Sequence, residues 1–538
     1  MFYYQSASET RHTLFSNPFS ENLNPENRWV VLEKVLPWDA MAQVFLDQLS
    51  DNNGRPSKNL RVVLGALFIK HIENLSDERT VLAIQENIYM QYFVGLPGFT
   101  TDPVFDPSLF VYIRRRLGDK GGEMLNDIMM EHAIKHGAIK HTRMPRKARK
   151  EESKTDNNDT GAGHASQRTN KGPSDGDNHS KPNKGTLKLD ATVAPQNITY
   201  PTDVKILSTC RIKSEQLIDK LYQVRKSLWK KKPRTYRRKA QQQFVVYSKK
   251  RRKNRKENRK MQKKQINYLK RNCEIIADML EKLEAHGLQL PYNQKDWVSL
   301  EVIQKVLVQQ REMYYNKKRS VPDRIVSLQQ HYVRPIKRGK AGKDTEFGAK
   351  INLSETEGFV KADLIRFDNF NEGTRLIPCL KAYKDKYGYY PQVVLVDQIY
   401  LTRKNRKFLK DNGIEHRGAQ VGRPPQKSKS VKRREKKERN QRNTIEGQFG
   451  VAKTRYGLEN IKMKTEQTSF AAIQLILLAM NAIKLSKSFI LSLKPCLYGY
   501  LCRLREKINK IDRLFCEKMS NSIKKTTFYN EIEPILSI

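Results

Sequence analysis

From Arg143 to Lys184 the chain carries almost no large apolar residue; it is built from Lys, Asn, Asp, Gly and Ser. Such a segment cannot bury enough surface to offset its ordering entropy, so no core runs through it. The chain therefore folds in at least two parts, and this stretch reads as a flexible linker between them.

Before the linker, apolar residues recur at helical spacing. Trp29–Leu32 and Met41–Leu49 carry apolar faces, and Leu60–Ile72 follows Pro56 and Ser57, a helix start. A further periodic segment runs from Leu75 to Gly95, and two more lie near Ser108–Leu117 and Gly122–Lys135. Pro and Gly fall between these segments, so residues 1–142 are expected to form an all-α domain.

After the linker a strand signal appears at Thr186–Val193 (TLKLDATV), with a turn at 194–197. A helical, basic region follows from Val204 to Lys318. Within it, Lys249–Lys264 holds eleven Lys or Arg and one acid, and Asn267–His286 and Leu300–Tyr315 form a helical pair. Strand-like segments return at Arg324–Val333, Gly348–Leu353 and Gly358–Arg366. Next come a helix at Thr374–Tyr387, the apolar strand Gln392–Val396, and a helix with a short strand around Ile414–Arg417. A basic run, Arg423–Arg442, leads into a helix carrying Glu446. The expected organisation is an α+β core over residues 186–203 and 319–490, interrupted by a helical insertion at 204–318 and followed by a helical tail at 491–538.

The chain has 102 Lys and Arg against 57 Asp and Glu, a formal charge of +45. Such an excess repels itself unless a polyanion is near, which points to nucleic acid. A membrane surface fits poorly, because the basic runs adjoin no amphipathic helix with a broad apolar face. The apolar segment Phe470–Ile483 contains Gln474 and Asn481, is too short to cross a bilayer, and reads as a buried helix. Six scattered cysteines with no CxxC pair indicate neither zinc nor disulfides. The amino terminus lacks a charged start and apolar run, so a soluble, cytoplasmic protein is expected.

Three carboxylates stand out. Asp190 lies in the strand KLDATV, and Asp397 ends the apolar strand VVLVD. Carboxyl ends of strands in open α/β sheets are where sites assemble, and burying an unpaired carboxylate is costly. With a helix-borne Glu446, two such residues could hold divalent cations through oxygen. Two cations about 3.5–4 Å apart can activate a nucleophile and stabilise a leaving oxygen in phosphoryl transfer. The competing reading makes each Asp a strand-end cap. Arg442, Glu446, Gly450 and Lys453 lie at i, i+4, i+8 and i+11, near one helical face. That face could deliver Glu446 to metal while Arg442 and Lys453 hold phosphates; the competing reading is a solvated helix with an i,i+4 ion pair.

Several segments together resemble the bacterial insertion-sequence transposases of the DDE class. GRPSKNLRVVLGALFIKHIENLSDERTVLAIQENIYMQYFVGL is similar to their helical amino-terminal domain, and LDATVAPQNITYPTD to their first-Asp segment, with Asp190, Thr192 and Tyr200-Pro201-Thr202-Asp203. VRPIKRGKAGKDTEFGAKINL resembles the stretch before the second Asp. VVLVDQIYLTRKNRKFLKDNGI matches in Asp397, Tyr400, Asn405 and Gly413-Ile414. Arg442, Glu446 and Lys453 have the family spacing around the third carboxylate. Arg439 stands where the family has Tyr, and Gln398-Ile399 follow Asp397 where the family often has Gly two residues on.

The resemblance implies an RNase H-like catalytic core whose Asp190, Asp397 and Glu446 bind two Mg²⁺ ions, with Mn²⁺ as a substitute. It implies metal-dependent cleavage and strand transfer on double-stranded DNA, namely the element's terminal inverted repeats and a target, with two copies of the chain in the complex. Expected phosphate contacts are Arg439, Arg442, Lys453, Asn405 and the basic loop Lys337-Arg338-Gly339-Lys340-Ala341. His331, Asp203 and Glu346 are read as structural, Asp203 as a cap for the helix after Pro201. The alternatives are a non-catalytic nucleic-acid-binding protein and an RNase H-like nuclease without strand transfer.

Overall fold

The computed structural model describes residues 23–46, 58–141, 182–340, 343–417 and 429–491, without the side chains of 338–344, 429–432 and 434–439. The linker up to residue 181 and the tail from 492 lie outside the described residues, so the expectations made for them are not addressed.

The amino-terminal helices are α1 (Arg28–Val35), α2 (Trp38–Leu46), α3 (Leu60–Ile72), α4 (Asp77–Glu86), α5 (Ile88–Val94) and α6 (Leu109–Lys135). Short polar side chains cap four of them: Asn27, Asn59, Ser76 and Asn87 each accept a backbone N–H of the first turn. Every residue of α3 is buried, including Arg61, Lys70 and His71 among its apolar neighbours. The two segments expected at Ser108–Leu117 and Gly122–Lys135 form one span kinked at Gly118 (φ 54°, ψ −158°).

The sheet contains β1 (Thr186–Pro195), β2 (Pro335–Lys340), β3 (Lys343–Thr356), β4 (Phe359–Arg366), β5 (Val393–Val396) and β6 (Glu415–His416). Its order is β2-β3-β1-β5-β6, with β4 also on β3. The β1–β3, β2–β3 and β3–β4 pairs are antiparallel, whereas β1–β5 and β5–β6 are parallel. This is the mixed sheet of an RNase H-like core. Side chains alternate across it. Leu187 and Leu189 pack under α11 (Leu376–Tyr387) and α12 (Arg403–Asp411). The opposite face meets α13 (Lys429–Thr454), α14 (Glu466–Leu491) and the amino-terminal helices.

Two expectations need correction. Arg324–Val333 is irregular, not a strand. Its groups are engaged elsewhere: Arg324 donates to Asp203 Oδ1 at 2.6 Å and the Ile325 N–H to Gln309 at 3.1 Å. The strand begins instead at Pro335, within the stretch read as a basic loop. Thr202, not Asp203, caps the helix after Pro201, accepting from the Lys205 N–H.

The region between β1 and β2 is helical, as expected: α7 (Asp203–Val224), α8 (Arg237–Lys249), α9 (Arg255–Ala285) and α10 (Gln294–Tyr315). It buries its own apolar core, with Leu207, Leu217, Leu269, Met279 and Ile303 at the centre. By contrast, the amino-terminal helices share one core with the sheet. Helix α14 is the apolar segment seen in the sequence. It is long and apolar enough to cross a membrane by composition, yet most of its apolar residues are buried inside this core. It crosses α6 so closely that a Cβ on Gly122 would lie 2.5 Å from Gln474 Cβ. Asn126 bonds Gln474 O at 3.0 Å, and Asn481 bonds Asn126 and both backbone polar groups of Val360, tying α6, α14 and β4 together.

Candidate active site

Strand register sets the first two carboxylates side by side. In the parallel β1–β5 pair Leu189 stands opposite Val396, so the next residues, Asp190 and Asp397, are neighbours where β5 ends. Adjacent strands lie about 4.8 Å apart. Asp190 Oδ1 accepts the Ala191 N–H at 2.8 Å. Burial pushes its pKa up to about 6; the Ala191 N–H and Arg442 hold it down, and Glu372 and Glu446 add to the rise. Asp397 is exposed and caps the turn Gln398–Tyr400, accepting the Gln398 N–H at 2.7 Å.

A buried polar frame fixes that turn. Tyr400 donates to Asn352 Oδ1 at 2.6 Å, and Asn352 Nδ2 to Asp363 Oδ2 at 3.3 Å. Asn405 was expected to touch phosphate, and the structure corrects this. Its side chain is buried, and its Nδ2 donates to Gly373 O at 2.6 Å and Tyr400 O at 2.7 Å. An amide spent on two main-chain carbonyls holds loops together and has no reach to DNA.

Glu446 arrives on α13, which lies across β1. Ile445, Phe449 and Ala452 form the buried stripe of this helix, leaving Arg442 and Glu446 beside it. Arg442 Nη2 bonds Glu446 at 3.1 Å, and its Nη1 is 4.0 Å from Asp190 Oδ2. The i,i+4 pair of the plain surface-helix reading is therefore present, but its guanidinium also faces Asp190. A second anchor lies further back along β1. Lys188 and Glu355 stand opposite each other in the β1–β3 ladder, 2.7 Å apart. Lys188 also donates to Thr444 at 2.7 Å, and Thr444 to Glu355 at 3.2 Å. Neither Lys188, Glu355 nor Glu372 was singled out from sequence.

Of the expected phosphate contacts, Lys337 is exposed on β2 and Lys453 half-buried on α13. The side chains of Arg338, Lys340 and Arg439 lie outside the described residues, though their backbones belong to β2 and α13.

Among the described residues no three acidic, His or Cys side chains stand close enough to hold a metal ion. The chemistry of the donors nonetheless suits one: Asp190, Asp397 and Glu446 are all-oxygen ligands appropriate to Mg²⁺ or Mn²⁺. A guanidinium already sits between Asp190 and Glu446, so the site favours positive charge.

Comparison with known proteins places two family models on the chain. Residues 17–116 match a transposase domain and residues 394–482 a transposase DDE domain. The first takes in α1 to α5 and the start of α6; the second begins in β5, before Asp397, and runs through α13 into α14. The chain is 31% identical over 133 residues to the uncharacterized protein ORF8 of the nfe locus of Rhizobium meliloti. That match takes in 25% of this chain and 64% of the relative, so the chain spans less than two thirds of its length. No solved structure matches. The two transposase models, the second of which takes in Asp397 and Glu446, indicate an insertion-sequence DDE transposase.

Proposed function

We propose that this chain is an active transposase that binds the ends of its element, cleaves the phosphodiester there and joins the freed 3′-OH to target DNA. The observation that carries the reading is the register that sets Asp190 beside Asp397, with Arg442 drawing Glu446 toward the same point. Asp190, Asp397 and Glu446 would hold two Mg²⁺ ions, or Mn²⁺ in their place. When bound, such ions activate the attacking oxygen and offset charge on the leaving oxygen.

The chain's own groups do the rest. The Tyr400–Asn352–Asp363 frame fixes the turn of Asp397, and the Lys188–Glu355–Thr444 cluster fixes the helix of Glu446. Arg442 and Lys453 hold the phosphates flanking the scissile bond, because guanidinium and ammonium donors favour phosphate oxygens. The amino-terminal helices recognise the element ends. The insertion, with its basic α8–α9 region, tracks the backbone without reading bases. Two copies of the chain would bring the two element ends together.

Strand cleavage and joining by purified protein with Mg²⁺, on a labelled element end, test this directly. Asp397→Ala should abolish both reactions. DNA binding without cleavage would favour a non-catalytic binding protein, and cleavage without joining an RNase H-like nuclease.

A further inference from the structure

The turn Glu372–Thr374, just before α11, was not part of the site read from sequence, yet the structure locks it onto the turn of Asp397. A Cβ on Gly373 would fall 2.8 Å from Ile399 O, a separation only glycine permits. Asn405 Nδ2 spans the seam, bonding Gly373 O on one side and Tyr400 O on the other. Glu372 itself is half-buried and points back to the sheet, where Lys350 Nζ holds it at 2.9 Å. Lys350 is buried and aimed by two further acceptors, Asn369 Oδ1 at 3.1 Å and Phe370 O at 2.9 Å. Lys350 lies on β3, opposite Val193 of the strand that carries Asp190.

We propose that Glu372 is a fourth carboxylate of the active site, adding negative charge at the cation-binding ends of β1 and β5. This rests on the metal-dependent reading above and extends it to a residue outside the three-carboxylate pattern. The ordinary alternative is that Glu372 serves only as counter-ion to buried Lys350. Removing both charges together separates the two roles. A counter-ion has no further role once its lysine is gone, whereas a site carboxylate is still missed.

The test is Mn²⁺ binding to the full chain, followed by electron paramagnetic resonance, with melting temperature recorded alongside. Glu372→Gln is expected to weaken Mn²⁺ binding by about 10–100-fold. The double variant Lys350→Met/Glu372→Gln should regain thermal stability and still bind Mn²⁺ weakly. Stability and Mn²⁺ affinity both restored in the double variant would overturn the proposal. So would wild-type affinity in Glu372→Gln while Asp190→Asn and Asp397→Asn bind poorly, an outcome that leaves the transposase reading standing. Wild-type affinity in all three single variants would remove both the proposal and the metal site it rests on.

Discussion

Lys188 donates to Thr444 at 2.7 Å, a bond that joins the strand of Asp190 to the helix of Glu446, each two residues from the carboxylate concerned. Glu355, 3% exposed, shares this cluster with Lys188. Lys188→Met leaves a buried carboxylate without its cation, which costs about 3–5 kcal/mol when nothing compensates. The Gly358 N–H still bonds Glu355, so the lower end is expected. Lys188→Met/Glu355→Gln should recover most of the loss in a denaturant midpoint while cleavage stays impaired, because Thr444 has lost its anchor.

Arg442 occupies the gap between Asp190 and Glu446. Arg442→Gln should therefore bind Mn²⁺ more tightly in the absence of DNA, since a resident positive charge has been removed. Cleavage should nevertheless fall by about 10²-fold, the usual cost of losing one preorganised donor to developing charge. Calorimetric Mn²⁺ titration set against single-turnover cleavage checks both halves.

Asp363 gives a pH signature. Desolvation pushes its pKa up to about 6, against hydrogen bonds from Ser354 and Asn352. A carboxyl with an ordinary value of about 4 thus binds its proton more tightly in the folded chain. Its contribution is fully present below about pH 4 and lost as pH rises through about 6. The melting temperature of wild type should fall across this window relative to Asp363→Asn. Parallel curves for the two proteins would show that Asp363 titrates normally.

Within the basic run, Lys249–Lys264, most described side chains are exposed. Neutralising several of them should weaken binding to all DNA sequences alike and reduce the salt slope by about 0.9 per lost phosphate contact. Fluorescence anisotropy at stepped salt, on element-end and random duplexes, measures this. A loss confined to element ends would assign the insertion a recognition role.

How much of this was visible in the sequence depended on whether a signal is local. Asp397 was legible because an apolar strand that ends in an acid, VVLVD, is a one-dimensional pattern, whereas Asp190, inside its strand, stood out through the resemblance of LDATVAPQNITYPTD to the family's first-Asp segment. Helix periodicity located α3, α6 and α14 for the same reason. The supports were not legible. Lys188, Glu355 and Thr444 meet from positions 89 to 256 residues apart, and nothing about a lone lysine in a strand announces its partner. Asn405 was misread because a match in position does not say where an amide points. Arg324–Val333 has strand-like residues, yet its polar groups are claimed by the insertion, a tertiary choice that outweighs local preference. The amino-terminal helices read as a separate domain because a polar stretch follows them, whereas Asn126, Asn481 and the buried face of α14 merge them with the sheet.

The clasp between Arg324 and Asp203 closes the long excursion that separates the first two strands. Asp203 opens α7 eight residues after β1 ends, and Arg324 lies eleven residues before β2, so one ion pair ties together the two ends of the excursion. With its own apolar centre between those ends, the excursion behaves as a graft on a stem. Doubling the length of a closed loop costs only about 0.6 kcal/mol in closure entropy. The graft can therefore be lengthened, trimmed or exchanged with little disturbance to the strands that carry Asp190 and Asp397.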